Sequence, residues 1–105
     1  MDLLAVYTTV ATREDARTIA RALVERRLAA CVQIEPIESF YRWEGEVVEE
    51  PEYRLLAKTT ERAYAAVEAA LRELHPYTLP AIHAVEIEEV HAPYARWVVE
   101  NADGA

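Results

Sequence analysis

A chain of 105 residues with 52% hydrophobic content is the length of a single domain around one core, so residues 1–105 read as one unit. Its formal net charge of −8 and pI near 4.8 exclude the broad basic face that a nucleic-acid partner needs. No apolar run approaches the roughly 20 residues that span a bilayer, which excludes a membrane partner of that kind.

A single cysteine, Cys31, excludes an internal disulfide and fits a reducing compartment. The opening "MDLLAVYTT" carries no basic n-region, so the expected location is the cytoplasm.

In chain order, "LLAVYTTV" (residues 3–10) is β-branched and aromatic and reads as a strand buried on both faces. Thr12 stands three residues before Asp15 as a short capping box. The following helix carries Ala16, Ile19, Ala20, Leu23 and Arg27 on one stripe and ends near Leu28. A second strand starts at Ala29 and runs on through "ESFYRW". "EGE" (residues 44–46) signals a turn, and a third strand covers residues 47–59, with Pro51 marking an edge or a bulge. Thr60 caps a second helix striped by Tyr64, Val67, Ala70, Leu71 and Leu74. Pro76 disfavours the α region at His75 and stops that helix. Residues 81–90 read as a fourth long strand. Pro93 suits the first turn of a terminal helix, with Tyr94, Trp97, Val98 and Asn101 on one side.

The order β-α-β-β-α-β, with right-handed crossovers, predicts an α+β ferredoxin-like sandwich with a long central β-hairpin and a C-terminal helix. Both long helices then lie on one face of the sheet. The other face is apolar too, through Leu3, Ala5 and Tyr7 on the first strand. A second copy of the chain covers such a face most economically. The hairpin tip "FYRWEGE" holds aromatic residues that a two-stranded ribbon cannot bury, which also points to an interface.

Catalytic patterns are missing. The single serine, Ser39, sits in the hairpin without a neighbouring histidine, and the two glycines form no phosphate-cradling loop. The expectation is a protein that is not an enzyme and requires no cofactor. The third strand, "LLAKTT", also lacks the aromatic and basic signature of RNA-binding domains with this element order.

"LAACVQI", the Ser39-x-Tyr41-x-Trp43-x-Gly45 spacing, "LLAKT" (residues 55–59), "HPY-x-x-P" (residues 75–80) and "YARW" (residues 94–97) occur in this order. Together they resemble the CutA family of divalent-cation tolerance proteins, from Ala5 to about Asn101. The resemblance implies a homotrimer similar to the PII signalling proteins, a role in tolerance of copper and other divalent metals, and no enzymatic activity. Some relatives that bind copper carry a first-strand cysteine and two adjacent histidines before Pro-Tyr. This chain has Tyr7 and Leu74-His75 there, so His75 alone is carried over as a candidate metal ligand.

Each candidate has an ordinary structural reading beside it. His75 is either an imidazole ligand for copper or a helix-terminal residue bonded to the next strand. His83 reads as a hydrogen-bonded histidine on a mostly covered sheet, His91 as solvated, and Cys31 as a buried small thiol. The acidic run of residues 46–52 alternates faces and reads as a solvated edge, not a cation cage. Lys58 is the chain's single lysine and stands mid-strand among apolar residues. With Tyr41, Trp43, His75, Tyr77 and Trp97 it composes an expected inter-subunit cleft suited to a small anion or a partner's carboxylate. The alternative to a metal-tolerance protein is therefore a PII-like regulatory module, and the alternative role of Lys58 is an ion pair that fixes the trimer.

Overall fold

The computed structural model describes residues 2–104. Their elements are β1 (Leu3–Val10), α1 (Arg13–Glu25), β2 (Cys31–Trp43), β3 (Glu46–Thr60), a 3₁₀ turn (Glu61–Ala63), α2 (Tyr64–Leu74), β4 (His83–Ile87) and α3 (Ala92–Asn101). The sheet has the order β2-β3-β1-β4, and every neighbouring pair is antiparallel. This is the expected ferredoxin-like sandwich.

Local chemistry sets the helix starts. The Thr12 hydroxyl accepts the Asp15 N–H at 3.0 Å and opens α1. The Thr60 hydroxyl accepts the Ala63 N–H at 3.2 Å, capping the 3₁₀ turn that leads into α2. Ala16, Ile19 and Leu23 of α1 meet Val67, Ala70 and Leu71 of α2 over Leu4, Val6, Val10, Leu55 and Ala57 of the sheet. Fully burying side chains such as Ile19 and Leu23 contributes roughly 1.5–3 kcal/mol each.

Helix α1 stops earlier than the sequence suggests. Arg27 takes the left-handed conformation at φ 59°, and the Leu28 N–H bonds back to the Leu23 carbonyl at 2.9 Å. Arg27 therefore leaves the buried stripe on which its spacing had placed it. Its guanidinium reaches Asp103 and the Glu100 carbonyl, and its own carbonyl accepts the Gly104 N–H at 2.9 Å. The C-terminal residues are thereby clasped to the end of α1.

Helix α3 corrects a second expectation. It lies on the sheet face opposite α1 and α2, where Val98 and Ala102 pack with Leu3 and Ala30. Part of the second face is thus covered from within the chain. The β4 edge of that face stays open, with Val85 at 52% exposure on the same rung as Ala5 and Lys58.

Strand β4 spans five residues instead of the ten expected, because its ladder with β1 ends at Leu3↔Ile87 and Tyr7↔His83. Beyond Ile87, β1 has almost no residues left to pair.

The hairpin of β2 and β3 projects well past β1, and the molecule measures 45 × 25 × 21 Å. Strand β1 pairs with β3 only from Tyr53 onward, so Pro51 falls where β3 has β2 as its one neighbour. A missing N–H is harmless there. Glu44 (φ 50°) and Gly45 (φ 83°) turn the chain, the positive-φ pair of a tight two-residue hairpin loop.

Candidate functional site

The candidate residues fall into two groups along the sheet face opposite α1. The first forms where α2 ends and β4 has not yet begun. Proline after His75 holds that residue extended, at φ −76° and ψ 132°, so its ring turns back over the sheet. His75 is 8% exposed. Its Nδ1 accepts the Tyr77 N–H at 3.2 Å, so Nε2 carries the proton and donates to the Thr9 carbonyl at 2.8 Å. Thr9 lies past the last rung between β1 and β4, and His75 supplies the donor that β4 no longer provides. Burial lowers the His75 pKa below its ordinary value, against the opposing effect of the Thr9 bond.

Tyr77 packs its ring 4.9 Å from that of His75 and donates its hydroxyl to Glu52 at 2.6 Å. Tyr41, on the neighbouring arm of the hairpin, donates to Glu50. Burial and then the Glu52 bond push Tyr77 well above the usual tyrosine range, while the Glu50 bond pushes Tyr41 up to about 12. Both phenols are held as neutral donors. Glu52 is 6% exposed, so this one carboxylate of residues 46–52 departs from the solvated edge expected of the run.

The second group lies beneath α3. The Lys58 ammonium sits 5.5 Å from the centre of the Tyr94 ring, and the Tyr94 hydroxyl is 3.7 Å from the Cys31 sulfur. Trp97 stacks on Tyr94 at 5.6 Å and is itself exposed. Burial and the Cys31 contact raise the Tyr94 pKa, and Lys58 opposes them. Cys31 is half-buried instead of enclosed, because it faces this group rather than the core under α1.

Within one protomer the expected cleft does not assemble. Lys58 and Glu52 stand six positions apart on β3, about 20 Å at the usual strand rise. Trp43 lies still further out, 48% exposed beside the hairpin turn. Sequence reasoning missed Glu52 as the partner of Tyr77. It also missed Tyr94 as the link between Lys58 and Cys31, although Tyr94 lies one helical turn before Trp97.

Copper held as a resident ion does not fit this geometry. Both ring nitrogens of His75 are engaged, which leaves no lone pair for a metal. Among the described residues no three His, Cys, Asp or Glu side chains are grouped to hold an ion. His83 corrects another expectation. It is exposed, and its ring stacks on Tyr7 with centres 5.3 Å apart. The Arg54 guanidinium lies 5.9 Å from the centre of the Tyr7 ring. His91 is exposed at the start of α3, as expected. Among the described residues no helix is long and apolar enough to cross a membrane.

Residues 4–101 match the family described as "CutA1 divalent ion tolerance protein". The divalent-cation tolerance protein CutA of Thermus thermophilus is 53% identical over 97 residues, covering 91% of this chain and 94% of that one. The solved structure from that organism superposes with a TM-score of 0.91 at 51% identity, covering 94% of this chain and 97% of that one. CutA from Xylella fastidiosa superposes with a TM-score of 0.95 at 36% identity, over 98% of this chain and all of that one. A protein described as the periplasmic divalent cation tolerance protein CutA, from Archaeoglobus fulgidus, gives 0.92 at 36% identity, over 97% and 99% of the two chains.

Proposed function

The chain belongs to the CutA1 divalent ion tolerance family, and from that premise we propose that it is a non-enzymatic cytoplasmic homotrimer that supports tolerance of divalent metals, copper among them. The observation that carries this reading is the exposed, aromatic hairpin. Phe40 and Val47 are each 64% exposed, far from the chain's own core. Such a tip is suited to the open part of a neighbour's sheet face. There it would bring Tyr41 and Trp43 of one copy toward Lys58 and Trp97 of another, in a trimer like those of PII proteins. The free thiol of Cys31 supports the cytoplasmic location.

The metal is handled in this reading as a weakly held ligand, not as a built-in cofactor, since His75 is committed to the backbone. Titration calorimetry with copper and with zinc tests it. Weak binding that is unchanged in His75→Gln is the expected result. Tight stoichiometric copper binding that His75→Gln abolishes would sink it.

The second reading, a PII-like module that takes a small anion or a partner's carboxylate, is favoured by one observation. Lys58 is half-buried with its ammonium beside the Tyr94 ring, and the described carboxylates form no ion pair with it. Calorimetry with inorganic phosphate discriminates. Heat that disappears in Lys58→Met supports this module, and no heat with the wild type removes it.

A further inference from the structure

Adjacent residues of a strand point to opposite faces, yet Ala30 and Cys31 both reach the sheet face that carries α3. Ala30 packs with Val98, and the Cys31 sulfur lies 3.7 Å from the Tyr94 hydroxyl. A bulge at the entry to β2 accounts for this. The Ala30 N–H bonds to the Lys58 carbonyl at 2.9 Å, while Cys31 pairs with the same Lys58 in the register of β2 and β3. Two residues on one side thus face one on the other. The bulge turns the chain's single thiol toward the face on which its single lysine stands.

Directly opposed residues hold their β-carbons about 4.5–5.5 Å apart, so the flexible stem of Lys58 carries its amine to the Cys31 sulfur while both strands stay in place. Tyr94 bounds the pair from the side of α3. Its hydroxyl touches the sulfur, and the Lys58 ammonium sits 5.5 Å from the centre of its ring. The described carboxylates form no ion pair with Lys58, so none of them holds it away from the thiol. Cys31 and Lys58 are both half-buried, which leaves them within reach of a small oxidant. A partly exposed thiol beside a cation is the setting in which cysteines react with peroxide.

We propose that Cys31 and Lys58 form a reversible covalent bridge under hydrogen peroxide, a sulfenamide between the cysteine sulfur and the lysine nitrogen. The sulfur attacks one peroxide oxygen. An S–O bond forms, the O–O bond breaks, and the leaving hydroxide departs as water. The deprotonated Lys58 amine then attacks the sulfenic sulfur. An N–S bond forms, the S–O bond breaks, and a second water leaves. Thiol, amine and one peroxide thus give the sulfenamide and two waters, and the two electrons lost by sulfur reduce the peroxide. Two thiols of a reductant such as dithiothreitol reverse the bridge, returning both side chains and leaving as a disulfide. Oxidation thereby removes the thiol and the cation of this face together, and it stops the sulfur short of the irreversible sulfinic acid. The bridge is independent of the metal-tolerance and anion readings above.

The experiment is mass spectrometry of the full chain after hydrogen peroxide, intact and after trypsin without reductant. The wild type is expected to lose about 2 Da, the two hydrogens given up in forming the S–N bond. It is also expected to stop reacting with iodoacetamide and to resist cleavage after Lys58, with dithiothreitol restoring both. Lys58→Arg keeps the cation but offers no deprotonated amine. That variant is expected to gain about 16 Da as a sulfenic acid that dimedone traps, then about 32 Da as the sulfinic acid. Lys58→Met is read in the same way should arginine disturb the packing at Tyr94. The proposal is overturned if the wild type gains oxygen while trypsin still cleaves after Lys58. A 2 Da loss that persists in Lys58→Arg and Lys58→Met overturns it, because another nitrogen then holds the sulfur. So does a doubled mass, which marks a disulfide between two copies, or an unchanged mass at millimolar peroxide.

Discussion

The imidazole of His75 closes two backbone groups at once, the Thr9 carbonyl and the Tyr77 N–H, and it does so only when neutral. A protonated ring has no acceptor for Tyr77. The folded pKa is lowered, chiefly by burial. The unfolded chain therefore binds the proton first, and stability is full above the ordinary histidine pKa near 6.5. It is lost as pH falls from there through the lower folded value. Denaturant midpoints measured between about pH 7.5 and 5 are expected to fall with acid in the wild type, and less steeply in His75→Gln. His75→Ala strands both backbone groups and is expected to lower stability by about 1–3 kcal/mol. A pH profile identical in wild type and His75→Gln would show that the ring is not the fastener described.

Among the elements, those set by local signals were legible in the sequence. The caps at Thr12 and Thr60, the helix stop before Pro76 and the turn at Glu44-Gly45 all rest on the chemistry of a few adjacent residues. The sheet order followed from the element order and the handedness of crossovers. What was not legible depended on contacts made at long range. Periodicity placed Arg27 on the α1 stripe, but the clasp to Asp103 and Gly104 fixes it in a left-handed conformation. Pattern also cannot say which sheet face receives α3, so Tyr94 came to Lys58 and Cys31 unannounced. The same distinction predicts how the hairpin turn responds to change. A Cβ at Gly45 meets nothing within 4 Å, so Gly45→Ala strains only the backbone at φ 83°. The expected loss is about 1–2 kcal/mol, read as a lower urea midpoint at unchanged slope and fixed protein concentration. An equal or higher midpoint would mean that the turn relaxes to another type.

For the whole molecule the question is what one chain leaves undone. Helix α3 covers part of the second sheet face through Val98 and Leu3, but Val85 at its β4 edge and Phe40, Trp43 and Val47 at the hairpin tip remain exposed. The hairpin beyond Tyr53 has two strands and no third neighbour, an arrangement marginal by itself in water. Both defects are removed if the tip of one copy lies on the open face of the next. Closed rings of identical chains arise from such head-to-tail contacts. Light scattering on the wild type is then expected to give about 36 kDa, three times the 11.9 kDa chain. Trp43→Ala deletes a large aromatic anchor from the tip, and truncating such an anchor commonly lowers association by 2 kcal/mol or more. Its melting temperature is expected to fall and to become steeply dependent on protein concentration, with a lighter species on dilution. A folded wild-type chain that scatters at about 12 kDa when dilute, with a concentration-independent melting temperature, would show that the hairpin stands alone and that the cleft between copies does not exist.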